Sequence, residues 1–94
     1  MNQTLIVGIA GDWNAGSPSH RATNEALDHA ARTLSVPVEA RWLPTPSLAA
    51  EGGEAMLRQA DAVWCGPGSP YLSMDGALEA IRFAREQGRP FIGT

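Results

Sequence analysis

Lysine is missing from this chain: its seven basic residues are all arginine, set against ten acidic ones. The arginines are scattered and the formal net charge is −3. That excludes the positive stripe that phosphate contacts require, and with it a nucleic-acid role. The arginine-only usage, beside the many alanines, reads as codon bias of a GC-rich genome rather than as a binding signature. Cysteine is nearly missing too. Cys65 stands alone, which excludes an internal disulfide and fits a reducing, cytoplasmic setting. No apolar run approaches the roughly 20 residues of a membrane span. The first residues lack the basic stretch and small-residue cleavage site of a signal peptide, so no membrane partner is expected. Repeats, linkers and low-complexity stretches are absent, which leaves one domain over residues 1–94. Gly8-Ile9-Ala10-Gly11 does not make a Gly-x-Gly-x-x-Gly loop. Asp12, His20, Cys65 and Asp75 fall in no recognised metal-ligand spacing. Neither a cofactor nor a metal is expected.

What is present is an ordinary globular composition. With 44% hydrophobic and 18% charged residues, the chain is apolar enough to hold a core. Residues 4–10 (TLIVGIA) run without polar interruption and suit a central strand buried on both faces. Residues 11–16 form a glycine-bearing loop. Ser17 then caps a helix that Pro18 opens, with Ala22, Ala26, Leu27, Ala30, Ala31 and Leu34 as its apolar face. Pro37 ends it. Residues 38–43 alternate, with Val38, Ala40 and Trp42 on one side and Glu39 and Arg41 on the other, which marks an edge strand. Pro44 and Pro46 break that strand, and a short helix follows over residues 54–59. Residues 61–65 (DAVWC) read as a third, interior strand. A sharp turn at 66–70 precedes a helix capped by Ser73, with Met74, Ala77, Ile81 and Ala84 as its core stripe and Gly88 at its stop. Phe91 and Ile92 make a fourth strand.

Strands alternating with helices call for a parallel sheet with right-handed crossovers. An edge-like second strand between two buried ones predicts an α/β, flavodoxin-like three-layer arrangement in the order 2-1-3-4. The loops after strands one and three then converge at the carboxyl edge, where such sheets bind ligands. The last seven residues, Gly88-Arg89-Pro90-Phe91-Ile92-Gly93-Thr94, read as a helix stop and a strand that opens a Gly-x-nucleophile-x-Gly turn. Gly93 and Thr94 take its first two places, and the nucleophile is expected just after Thr94.

Pro67-Gly68-Ser69-Pro70-Tyr71 resembles the PGGFG turn of class I glutamine amidotransferases. Asp75-Gly76-Ala77, Ala80-Ile81-Arg82-Phe83-Ala84-Arg85-Glu86 and Pro90-Phe91-Ile92-Gly93 resemble the segment leading to the nucleophile cysteine in the amidotransferase domain of CTP synthase. Ile6-Val7-Gly8 and the helix over residues 19–30 are similar to the start of that domain. The chain also resembles a group of short proteins related to the CTP synthase C-terminal region, some of them described as selenoproteins. This resemblance covers the whole chain and implies its N-terminal-half correspondence to such a domain. It further implies a Cys-His-Glu triad that hydrolyses glutamine through a thioester, with two backbone N–H groups on the oxyanion. Carried over, Gly68 or Ser69 supplies one donor, and Gly66 and Tyr71 line the glutamine pocket. Ser69 stands where the pattern has its second glycine, and Pro70 has no N–H to give. Nucleophile, histidine and glutamate would all lie beyond Thr94, so these 94 residues alone are expected to be inactive.

Other residues carry two readings each. Cys65 is a small buried hydrophobe or a reactive thiol. His20 is a solvated or capping histidine or a substrate contact. Asp12 binds a ligand or turns the chain. His29 is a surface residue, and Trp13, Trp42 and Trp64 fill core or interface. Two alternatives to the amidotransferase reading remain open. One is a non-catalytic module that forms a homodimer through the exposed fourth strand. The other is a flavodoxin-like binder of a small ligand or nucleotide.

Overall fold

The uninterrupted aliphatic run builds β1 (Leu5–Ala10), and the alternating one builds β2 (Val38–Leu43). Between them lies α1 (Pro18–Leu34), whose Ser17 hydroxyl accepts the His20 N–H and whose end closes on Ser35 at φ 55°. Then come α2 (Thr45–Ala49), α3 (Gly53–Arg58), β3 (Ala62–Cys65), α4 (Met74–Gln87) and β4 (Phe91–Gly93). The computed structural model describes residues 4–66 and 71–93. All strands are parallel, in the order β2-β1-β3-β4. The flavodoxin-like order expected from the pattern is therefore the one observed, with β2 as an edge.

One helix was not expected. Pro44 and Pro46 read as strand breakers, yet they frame the start of α2, with Pro44 at its N-cap and Pro46 in its first turn. Proline suits that place because the first turn has no acceptor for its N–H anyway.

The register sorts residues between the two faces. Leu43, Ala10, Cys65 and Gly93 share one row, and Trp42, Ile9, Trp64 and Ile92 the next, on the opposite face. The α4 face holds the main core: Ala10, Leu43, Leu48, Leu57, Val63, Ala80, Phe83 and Ala84. The stripe on α4 is Gly76, Ala77, Ala80, Phe83 and Ala84. Ala77 and Ala84 were expected there. Met74 is instead exposed and Ile81 lies at the margin, because the helix leans on its small residues where α2 crosses it.

On the other face, α1 packs chiefly against β2. It buries His20 and Thr23 and half-buries Asn24, Leu27 and Ala31. The expected alanine face is thus rotated: Ala22, Ala26, Ala30 and Leu34 face outward.

Candidate functional site

Three connections meet at the carboxyl edge of the sheet: the loop after β1, the turn between β2 and α2, and the loop between β3 and α4. Asp12 ties them together. Its Oδ1 accepts the Thr45 N–H at 2.9 Å. Its Oδ2 accepts the Thr45 hydroxyl at 2.8 Å and the Leu72 N–H at 3.0 Å. Thr45 Oγ1 in turn accepts the Ser73 N–H at 2.9 Å, and Ser73 Oγ caps α4 through the Gly76 N–H. Thr45 is fully buried, so each of its polar atoms must find its partner inside the protein. Burial by itself raises the Asp12 pKa. The hydrogen bonds from Leu72 and Thr45, with the nearby His20, outweigh it and hold the carboxyl below the usual range. Asp12 does turn the chain, and it does so across three loops at once.

Thr45 was missed in the sequence because its two proline neighbours look like a break. The available signal was the same pair of prolines read as a helix start.

Helix ends here sit close: the starts of α4 and α3 meet the start and the end of α2. A Cβ at Gly76 would stand 1.8 Å from the Thr45 carbonyl oxygen, and one at Gly53 2.2 Å from that of Leu48. Glycine at both positions is a matter of contact between backbones, not of backbone angle.

Of the expected pocket residues, the structure places Gly66 and Tyr71 together. Gly68 and Ser69 lie outside the described residues. Gly66 is buried at the end of β3 and gives its N–H to the Ala10 carbonyl at 3.0 Å. Its carbonyl accepts the Tyr71 hydroxyl at 2.7 Å. A side chain there would press on Ile9 and the Trp42 ring at 3.0 and 3.3 Å. With its N–H and its carbonyl both engaged within the chain, Gly66 contributes shape to this rim. Tyr71 turns its hydroxyl inward, to Gly66 and to Cys65 Sγ at 3.2 Å.

Burial, the Cys65 contact and the Cys65 and Asp12 charges push the Tyr71 pKa up to about 12. Because this is the only tyrosine, absorbance at high pH reads it directly. It is expected to ionise about two units above the ordinary value of about 10, and only in the folded chain. The raised value means that its contribution to stability is complete below about pH 10 and is lost as the pH climbs toward 12. A Tyr71→Phe variant is expected to lose that step and to expose Cys65 to faster thiol modification.

Cys65 is buried, as its apolar neighbourhood suggested. His20 is not solvated: it is 6% exposed, stacks at 5.9 Å on Trp13 and packs at 4.7 Å against Trp42. Its Nδ1 accepts the Asn14 N–H at 3.0 Å. Trp42 is half-buried at this seam, in keeping with its expected role as filler, whereas Trp13, expected to fill core or interface as well, is 45% exposed.

Register sets the last feature of the rim. Cys65 lies directly beside Gly93. The ends of β3 and β4 therefore lie side by side. A cleft of about 600 Å³ elsewhere, lined among others by Leu48, Asp75, Leu78, Glu79 and Arg82, contains none of the expected pocket residues. Its arginine is already paired with Glu79 and Glu86. No cluster of three potential metal ligands occurs among the described residues. No helix among them is long and apolar enough to cross a membrane.

No protein-family model matches the chain. It is similar along nearly its whole length to curated CTP synthases. To that of Thermosynechococcus vestitus it is 33% identical over 92 residues, covering 98% of this chain and 17% of that protein. To one from a Synechococcus species it is 33% identical over 90 residues, covering 96% and 16%. The chain thus spans only 16–17% of the length of these relatives. Among solved structures, the glutaminase domain of Trypanosoma brucei CTPS with bound acivicin superposes with a TM-score of 0.83 at 16% identity. The match covers 95% of this chain and 35% of that one. The fold is therefore the one found in part of that glutaminase domain, and the sequence is similar to CTP synthases along nearly its whole length.

Proposed function

We propose that these residues form the front half of a glutamine-hydrolysing module. The β3–α4 loop, from Gly66 through Gly68 and Ser69 to Tyr71, shapes one wall of the amide pocket. The strand end at Gly93 delivers the chain to the nucleophile position. The reactive thiol or selenol, the histidine and the glutamate come from residues other than these 94. The thiolate or selenolate attacks the side-chain amide carbon of glutamine. Ammonia leaves, and water releases glutamate from the acyl intermediate. Backbone N–H groups hold the oxyanion, one from residues 68–69 and one from the residue after the nucleophile. By themselves these 94 residues hydrolyse no glutamine. The setting that suits a reactive thiol or selenol is the reducing cytoplasm.

The observation that supports this reading is the pairing of Cys65 with Gly93, by which β3 and β4 end side by side. Spectra of the ¹⁵N-labelled chain titrated with L-glutamine test it. Shifts are expected at Gly66, Tyr71, Leu72, Ile92 and Gly93, and weaker ones with L-asparagine. Shifts confined to the far ends of α1 and α4 would contradict it.

The exposed edge favours a second reading. Phe91 and Ile92 are 40% and 56% exposed, and β4 lies at the end of the sheet. Two copies could pair there as a homodimer. Light scattering that gives the mass of one chain removes that reading.

A further inference from the structure

The chain has a formal net charge of −3, and the whole surplus sits on one face. That face holds the cleft of about 600 Å³ that α2 and the start of α3 form with α4. At about 100° per residue, Asp75, Leu78, Glu79, Arg82 and Glu86 fall within one third of the circumference of α4 and make a stripe about 16 Å long. Glu54 stands on the opposite wall, paired with Arg58, and Glu51 is exposed beside it. These five carboxylates meet only two arginines, because Arg82 serves both Glu79 and Glu86. Asp75 and Glu51 have no ion-pair partner among the described residues. The other five acids of the chain are matched in number by the other five arginines. Arg85 belongs with those: it lies about 20° around the helix from Met74, on the flank turned from the cleft.

The cleft also has an apolar floor. Ala49 and Ala50 are exposed on one wall, and Leu78 stands 53% exposed on the other, above the buried Leu48. The walls are fixed relative to each other. Gly53 backs onto the Leu48 backbone and Gly76 onto that of Thr45, with no room for a Cβ at either. The cleft is therefore preformed, and binding needs no rearrangement of its walls. Charge then decides between occupants. Nucleic acid and anionic lipid are repelled. A second copy brings no surplus of positive charge, since its remaining charges balance. A small cation would meet the carboxylates and leave Leu78 in water. A polypeptide segment with an aliphatic side chain between basic ones satisfies both floor and rim. As a helix it matches the stripe, since three turns span about 16 Å.

We propose that this cleft is a docking groove for a basic amphipathic helix of a partner polypeptide. An aliphatic anchor seats against Ala49, Ala50 and Leu78. Arginine or lysine one turn to either side meets Asp75 toward the start of α4, and Glu79 and Glu86 toward its end. Those two glutamates share one arginine, so a second cation completes their pairing. The charges lie at the rim and steer the encounter, while the anchor supplies most of the affinity. The groove contains none of the residues of the amide pocket, and the inference does not rest on the glutamine-hydrolysing reading.

The test uses this chain and a fluorescein-labelled helical peptide of three turns, built on alanine, with one leucine at its centre and arginine one turn to either side. A second peptide of the same composition carries the leucine on the opposite face. A third has glutamate in place of arginine. Fluorescence anisotropy is expected to show saturable one-to-one binding of the first, weakening as salt rises. The second should bind about tenfold more weakly or worse, and the third not at all. Leu78→Arg puts a charge of the wrong sign into the seat and should weaken the first peptide by about tenfold or more. Asp75→Asn combined with Glu51→Gln should weaken it by about threefold to tenfold. All three positions are exposed, so the melting temperature of each variant should stay within a few degrees of the unsubstituted chain. In spectra of the ¹⁵N-labelled chain, shifts with the first peptide should gather at residues 48–54 and 75–82. The proposal is overturned if no peptide binds, or if Leu78→Arg binds the first peptide unchanged. It is equally overturned if the peptide with displaced leucine binds as tightly, which would leave only unspecific charge attraction. A dimer of the chain that Leu78→Arg dissociates would make a second copy the occupant and overturn it too.

Discussion

Alanine at Gly76 is expected to cost about 3 kcal/mol or more, at the upper end for overpacked positions. The methyl carbon would stand 1.8 Å from the Thr45 carbonyl oxygen and 2.6 Å from its carbon. Neither side can yield cheaply, because both atoms belong to the first turn of a helix. Moving α4 away would also pull Ser73 N from Thr45 Oγ1 and loosen Phe83 and Ala80 in the core. A domain of this size has only about 5–15 kcal/mol in total. The melting temperature should fall by roughly 12 °C or more, with loss of the cooperative transition as the extreme. Leu78→Ala, on the exposed side of the same helix, serves as the comparison and should change it little. If Gly76→Ala melts like the unsubstituted chain, the close approach of α2 and α4 is wrong.

The second large effect is expected at Asp12. Replacing it with alanine removes the acceptor for three donors. Two of them belong to Thr45, which has no access to water. Stranded donors of that kind cost about 1–3 kcal/mol each. With Asp12 itself only part-buried, a total of ~2 kcal/mol is expected, or roughly 8–16 °C in melting temperature. Asp12→Asn keeps an acceptor and should lose less. The acid side of the stability curve carries the same signature. The folded carboxyl titrates below its ordinary value. Its contribution is therefore complete above about pH 4 and is lost as the pH falls below that, through the lowered value. Urea midpoints measured from pH 6 down should fall in that window, and the fall should be shallower in Asp12→Asn. Identical acid profiles for the two proteins would show that Asp12 does not hold the loops.

Much of the frame could be read from local chemistry. Uninterrupted apolar runs placed β1 and β3 inside the sheet, and Glu39 and Arg41 placed β2 at its edge. The Ser17-Pro18 start, the Ser73 cap and the Gly88 stop marked the two long helices, because those signals act within one turn of the chain. What could not be read depends on residues far apart in sequence. Asp12 meets Thr45 and Leu72 across separations of 33 and 60 residues, and no local pattern announces such a tie. The helix faces were misplaced for the same reason. On α1 the alanine spacing suggested a buried stripe, but the helix buries Thr23 and His20, which packs on Trp42, and of the expected face only Leu27 and Ala31 are half-buried. On α4 the close contact at Gly76 turned Ala80 and Phe83 inward in place of Met74. The site is legible to a similar extent. The rim formed by Gly66, Tyr71 and Gly93 follows from strand order alone. The inward turn of the Tyr71 hydroxyl follows from packing at the end of β3.

A joined protein tests the central claim most directly. In it, residues 1–94 replace the matching segment of the T. vestitus CTP synthase glutaminase domain and lead into that domain's own remaining residues. Ammonia release from L-glutamine is then measured. A folded joined protein is expected to hydrolyse glutamine in preference to asparagine, and to lose the activity when the first cysteine after the junction is changed to serine. A folded joined protein that releases no ammonia from glutamine would contradict the claim that this chain shapes half of an amide-cleaving pocket.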